Sequence, residues 1–181
     1  MAGGIIMQHS YLHLYIGDGK GKTTAAVGLA ARAAGCGKQV ALGQFLKATR
    51  TGELASLKML GVTVIRSEKN LGFTWDMDEA ERVACSAEQA IVLETLKGLF
   101  QTTTPVNILI LDEVLDVISL GLLSEDALKD FLAGMPAELE LVLTGRSAPE
   151  WLIESAGYIT EMKKIKHPYD TGTQARSGIE F

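Results

Sequence analysis

Gly17-Asp18-Gly19-Lys20-Gly21-Lys22-Thr23-Thr24 sets three alternating glycines ahead of a lysine and two threonines. Glycine has no side chain to hold a ligand off the backbone, so successive N–H groups in such a loop can turn inward around phosphate oxygens. Lys22 then neutralises phosphate charge, and the Thr23 hydroxyl can sit on a magnesium ion. A loop of this kind needs a strand before it and a helix after it, the helix start adding a favourable dipole. The apolar run Tyr11 to Ile16 and the small-residue run Ala25 to Ala31 supply both. The usual spacing places a glycine six positions before the lysine, where this chain has Ile16; the nearest glycine is Gly17, so the loop is one residue short. The competing reading is a glycine-rich turn with no ligand, and Gly-Lys-Thr-Thr in this setting is much more specific than that.

A second group of chemical residues is Asp112-Glu113. It ends Val106 to Leu111, a run apolar but for Asn107 and of the kind found in a central parallel strand covered on both faces. Two acids at such a strand end, downstream of a phosphate loop, are placed to hold magnesium and orient a reacting group. A helix start that favours acidic residues is the alternative. Ligands on open α/β sheets bind beyond the carboxyl ends of the strands. That makes Gln44 and Lys47, at the end of a strand over Gln39 to Leu46, candidates for the site, against a simple solvated loop. Arg146 follows a strand over Leu139 to Thr144 and either contacts the site or solvates a loop. Phe73 and Trp75 lie in a loop-like stretch, and periodicity alone favours loop-anchoring packing over a ligand platform.

The elements that must position these residues alternate along the chain. A first helix ends near Gly35, Gly52 to Leu60 has helical spacing, and Val62 to Arg66 reads as a third strand. Asp76 with Glu79 gives a capping-box start for a helix carried toward Phe100. Val114 to Leu120, Ser124 to Ala133 and Pro149 to Ala156 read as helices, and Tyr158 to Ile165 as a last strand. The pattern predicts an α/β fold, a mostly parallel sheet of about six strands with helices on both faces. Residues 1–10 form an N-terminal segment and 11–181 one domain, with no repeat or linker inside it.

At 181 residues the chain is long enough to build a core without staples. A formal charge of −5 argues against a dedicated nucleic-acid binder. No apolar run reaches membrane-spanning length and no signal-peptide pattern opens the chain, so a cytoplasmic location is expected. Cys36 and Cys85 form no Cys-x-x-Cys pair and are expected to be reduced, buried small residues. His9, His13 and His167 lack ligand spacing, and no structural metal is expected. The basic run Lys163, Lys164, Lys166 and His167 reads as a solvated face.

Loop, lysine, threonine and acid pair together point to a nucleoside triphosphate with magnesium, and leave the reaction open. Attack at the γ-phosphorus needs an aligned water or hydroxyl, which Glu113 could orient in an ATPase or small-molecule kinase. Attack at the 5′ carbon makes the whole triphosphate the leaving group, its charge neutralised by magnesium and lysine. A non-enzymatic module that uses ATP only to close a pocket is the third reading.

The glycine loop, Gln44-Phe45-Leu46-Lys47, Gly72-Phe73-Thr74-Trp75, Leu111-Asp112-Glu113, Thr144-Gly145-Arg146-Ser147-Ala148-Pro149, Thr160-Glu161-Met162 and the tail from Lys166-His167-Pro168 to Ala175-Arg176-Ser177-Gly178-Ile179-Glu180-Phe181 occur together and in order. In this combination the chain resembles the ATP:corrinoid adenosyltransferases that carry a P-loop, over about Tyr11 to Phe181. The resemblance implies a RecA-like P-loop fold, commonly a homodimer, and transfer of the 5′-deoxyadenosyl group of ATP to the Co(I) of a corrinoid with release of triphosphate. It implies that ATP lies in the loop in the reverse of the usual direction, which suits the shortened loop. By the same resemblance, Gly17, Asp18, Gly19, Lys20, Gly21, Lys22, Thr23 and Thr24 bind the nucleotide. Gln44, Lys47 and Arg146 stand beside them. Thr23, Glu113 and Asp112 attend a magnesium ion, or manganese in its place. Phe73 and Trp75 displace the lower axial ligand of Co(II), easing its reduction by a reduced flavin or a flavoprotein reductase. Asp18 and Gly157 depart from the family pattern, which often has Asn and Asp there.

Overall fold

The computed structural model of the chain describes residues 9–47, 51–67 and 77–180. Among the described residues six strands share one sheet: β1 (His9–Ile16), β2 (Val40–Gln44), β3 (Thr63–Arg66), β4 (Ile108–Asp112), β5 (Glu140–Thr144) and β6 (Ala156–Glu161). Their order is β3-β2-β4-β5-β1-β6 and every neighbouring pair is parallel. The α-helices between them are α1 (Lys22–Gly35), α2 (Glu53–Met59), α3 (Glu79–Gly98), α4 (Val114–Ser119), α5 (Glu125–Ala133) and α6 (Glu150–Ser155). β5 lies between β1, which feeds the glycine loop, and β4, which ends in the acid pair, consistent with a RecA-like P-loop fold.

Strand periodicity of two builds a core on each face of the sheet. Leu12, Leu14, Leu109, Leu111, Leu141 and Leu143 point to one side, where Leu93 and Leu96 of α3, Leu115 of α4, Phe131 of α5 and Leu152 of α6 meet them. Ile110, Val142 and Leu42 point to the other, against α1 and α2. α1 presents Ala26, Ala30 and Ala33 to the sheet, residues small enough to bring the helix axis close. In β2, Gly43 leaves room for Leu96 of α3, whose side chain would meet a Cβ there.

Three expectations change in detail. The capping box of α3 is Asp78 with Glu81, each side chain bonded to the other's backbone N–H. β6 starts at Ala156 and stops at Glu161, because Met162 leaves the sheet to bind the glycine loop. Cys85 is buried as expected, whereas Cys36 caps α1 and is exposed. His13 packs as a core-edge side chain: its ring stacks on Tyr158 at 4.2 Å between centroids, and its Nε2 meets Glu140 at 2.5 Å.

Candidate functional site

The carboxyl ends of four strands meet in one row. The register pairs Gln44 with Asp112, Leu111 with Leu143 and Tyr15 with Thr144, so the residues that end β2, β4, β5 and β1 lie side by side. The glycine loop crosses this row on its way into α1. Its glycines serve the protein's own backbone as well as any ligand. Gly19 N donates to the Met162 carbonyl at 2.6 Å, Met162 N donates to the Ile16 carbonyl at 2.8 Å, and Gly17 N donates to the Arg146 carbonyl at 3.0 Å. A Cβ at Gly17 or Gly19 would collide with the Met162 carbonyl. Gly17 and Gly21 also take φ of +113° and +119°, which side chains rarely tolerate.

Lys22 folds back into the loop and donates to the carbonyls of Gly17 at 2.7 Å and Gly19 at 2.9 Å. Burial holds its ammonium below the usual lysine range, against the opposing pull of Asp116. Thr23, next in the helix, donates its hydroxyl to Asp112 Oδ1 at 2.9 Å. The Asp112 side chain is fully buried and also accepts from the Thr144 hydroxyl at 2.8 Å, which in turn accepts from Glu113 N at 2.8 Å. Thr144 therefore fixes both acids. Glu113 sits at φ +65°, in the left-handed region, at the start of α4, and its carboxylate meets the Lys47 ammonium.

Lys47 closes the constellation. Its ammonium lies 2.6 Å from Asp112 Oδ2, 3.2 Å from Glu113 Oε1 and 3.3 Å from Thr23 Oγ1. Burial alone would lower its pKa; the charges of Asp112 and Glu113 outweigh that and raise it. Burial pushes the Glu113 carboxyl up, more than the Lys47 ammonium pulls it down, and the Asp112 charge adds to the rise. Beside these groups opens a cleft of about 700 Å³ bordered by Lys20, Thr24, Val27, Thr51, Glu53 and the tail residues Gly178, Ile179 and Glu180. That size suits a nucleotide.

The oxygen donors Thr23, Asp112 and Glu113 fit a hard cation such as magnesium, which takes one or two carboxylates and fills its shell with phosphate and water. Among the described residues no three acidic, histidine or cysteine side chains form a metal cage of their own.

Residues 8–181 match the family described as ATP:corrinoid adenosyltransferase BtuR/CobO/CobP. The chain belongs to that family. It is 34% identical over 179 residues to the corrinoid adenosyltransferase of Pseudomonas aeruginosa, spanning 98% of this chain and 84% of the relative. It is 33% identical over 171 residues to corrinoid adenosyltransferase CobA of Salmonella typhimurium, at 93% and 84%. It is 36% identical over 168 residues to a corrinoid adenosyltransferase of a Sinorhizobium species, at 91% and 77%.

Within this adenosyltransferase chain the structure brings together Lys22, Thr23, Lys47, Asp112 and Glu113, and sets Lys20 and Thr24 on the cleft wall. Gln44 is buried and locked, donating to Glu53 at 2.8 Å and accepting from Arg66 at 3.2 Å, so it braces the cleft from behind. The Asp18 carboxylate accepts from Lys164 N at 2.9 Å, which holds its pKa below the ordinary range. Arg146 contributes backbone: its N–H donates to Asp116 at 2.9 Å and its carbonyl accepts from Gly17. Phe73 and Trp75 lie outside the described residues. Sequence reading missed Thr144, Arg66 and Glu53. Of these only Thr144 carried a signal, as a hydroxyl ending an apolar strand.

Proposed function

We propose that this chain transfers the 5′-deoxyadenosyl group of ATP to the Co(I) of a corrinoid and releases triphosphate, with the named side chains in the following roles. The observation that carries the reading is the meeting of the Gly17–Gly21 loop, Lys22 and Thr23 with the Asp112-Glu113 pair, in a chain that matches the adenosyltransferase family over residues 8–181. The loop amides and Lys22 hold the triphosphate. Thr23 and Glu113, with Asp112 behind them, would hold magnesium or manganese, which neutralises charge on the triphosphate. Co(I) attacks the 5′ carbon, a cobalt–carbon bond forms, and the carbon–oxygen bond to the triphosphate breaks. The departing oxygen gains negative charge, and Lys22 is positioned to stabilise it.

Phe73 and Trp75 take the apolar underside of the corrin ring and displace the lower axial ligand, so that four-coordinate cobalt accepts an electron from a reduced flavin or a flavoprotein. The reaction runs in the cytoplasm and in a homodimer. Exposed Tyr158 and Ile159 on β6, at the sheet edge, support self-association. Among the described residues no helix is long and apolar enough to cross a membrane.

The competing γ-phosphate reading asks Glu113 to orient a water. The match to the adenosyltransferase family over residues 8–181 does not favour that role. The decisive experiment supplies Co(I) corrinoid and MgATP and identifies the products. Intact triphosphate and a cobalt–carbon bond are expected; ADP as the product overturns the proposal.

A further inference from the structure

Lys47 carries more structural support than a loop lysine ordinarily receives. Phe45 N donates to the Asp112 carbonyl at 3.0 Å, Leu46 N to Gln89 Oε1 of α3 at 3.1 Å, and Arg66 Nη2 of β3 to the Lys47 carbonyl at 2.7 Å. Leu46 itself sits at φ +58°, a left-handed conformation that leucine adopts only when its surroundings impose it. Three elements thus fix the backbone that launches this side chain. Its ammonium ends among three oxygens, one from Thr23, one from Asp112 and one from Glu113.

These are the same oxygens that a magnesium ion would use. An ammonium and a divalent cation cannot share them: both need the same lone pairs, and at such separation in a half-buried site their repulsion is poorly screened. Lys47 also lines the cleft, so a rotation of its side chain away from Asp112, with the backbone held, would carry the charge into the space where the polyphosphate would lie.

We propose that the Lys47 ammonium is a built-in counter-ion that occupies the divalent-cation position when nucleotide is absent and exchanges with the metal when the metal–nucleotide complex binds. The proposal rests on Thr23, Asp112 and Glu113 being the metal's donors. It explains how the buried Asp112 carboxylate remains neutralised before substrate arrives. It also gives the displaced ammonium a second role, as a partner for triphosphate oxygens beside Lys22.

The test measures Mn2+ binding to the full chain without nucleotide, by electron paramagnetic resonance titration. Lys47→Met is expected to bind Mn2+ at least tenfold more tightly than the parent, because the resident cation is gone. Lys47→Arg, which keeps the charge, is expected to stay with the parent. Adding Glu113→Gln to Lys47→Met is expected to cancel the gain. Lys47→Gln gives the same comparison if the methionine variant does not fold. Equal or weaker Mn2+ binding in the uncharged variants overturns the exchange. Product analysis of the parent protein is scored separately: continued release of triphosphate alongside unchanged Mn2+ affinity rejects the exchange alone, whereas ADP rejects the adenosyl-transfer reading.

Discussion

Gly19 has two neighbours that leave no space for a methyl group: the Met162 carbonyl oxygen, which a Cβ would approach to 2.5 Å, and the Lys163 carbonyl carbon, at 2.8 Å. The obstacle is backbone and cannot rotate aside. Gly19→Ala is therefore expected to cost about 1–3 kcal/mol, the usual range for forced overpacking. Chemical denaturation would read that loss, and a parallel loss of triphosphate affinity would show that Met162 and the loop move together. Glu113 makes a prediction of a different kind. Its carboxyl is raised in the folded protein by burial, so it takes up its proton more readily folded than unfolded. Protonation favours the fold below the unfolded-state pKa, and that contribution is lost as pH rises. Cation binding runs the other way, since it needs the ionised form. Manganese-supported ATP affinity should thus fall on acidification with a midpoint above the ordinary glutamate value of about 4.3. Glu113→Gln should remove that component; an unchanged pH profile in the variant would remove Glu113 from the metal's donors.

At the scale of elements, β5 supplies the partner that orders the acid pair. By lying between β4 and β1 it sets Thr144 next to Asp112, where one hydroxyl donates to the carboxylate and accepts from Glu113 N. Thr144→Val keeps the shape, removes one of the donors to the buried Asp112 carboxylate and leaves Glu113 N without its acceptor, at a cost of about 1–3 kcal/mol. Stability should fall by that amount, and nucleotide affinity with it; full retention of both would mean that Asp112 is held by Thr23 and Lys47 alone. The glycine loop and the acid pair were legible beforehand because each is local in sequence and carries its chemistry in its residue types. Thr144 showed beforehand only as a hydroxyl ending an apolar strand, since its role depends on which strands become neighbours. The start of α3 shows a finer limit. Asp76 with Glu79 and Asp78 with Glu81 have the same spacing; Asp76 lies outside the described residues, and Asp78 and Glu81 each bond the other's backbone N–H. Gln44 was legible as a strand-end residue, but its burial between Glu53 and Arg66 depends on α2 and β3 folding over it.

Across the whole molecule, the phosphate-handling groups belong to β1, α1, β4 and β5, while residues 68–76, which carry Phe73 and Trp75, connect β3 to α3. Among the described residues, Ser67 is bonded to Glu88 of α3 and Arg66 donates to the Lys47 carbonyl at 2.7 Å, so β3 ends at the rim of the same site. In the proposed reaction two separate parts of the chain serve two substrates, so their losses should separate. Lys22→Ala removes a charge-assisted partner of the triphosphate, a loss of about 1.5–3 kcal/mol, or roughly 10- to 150-fold in ATP affinity, while corrinoid contact partly survives. Trp75→Ala should do the reverse: ATP affinity stays near that of the parent, and reduction of Co(II) on the protein slows. Isothermal titration with ATP and spectroscopic reduction of bound Co(II) corrinoid read the two effects independently. Equal ATP affinity in Lys22→Ala would contradict the loop assignment. An unchanged reduction rate in Trp75→Ala would make the tryptophan a packing residue and leave the chemistry of the cobalt underside to other side chains.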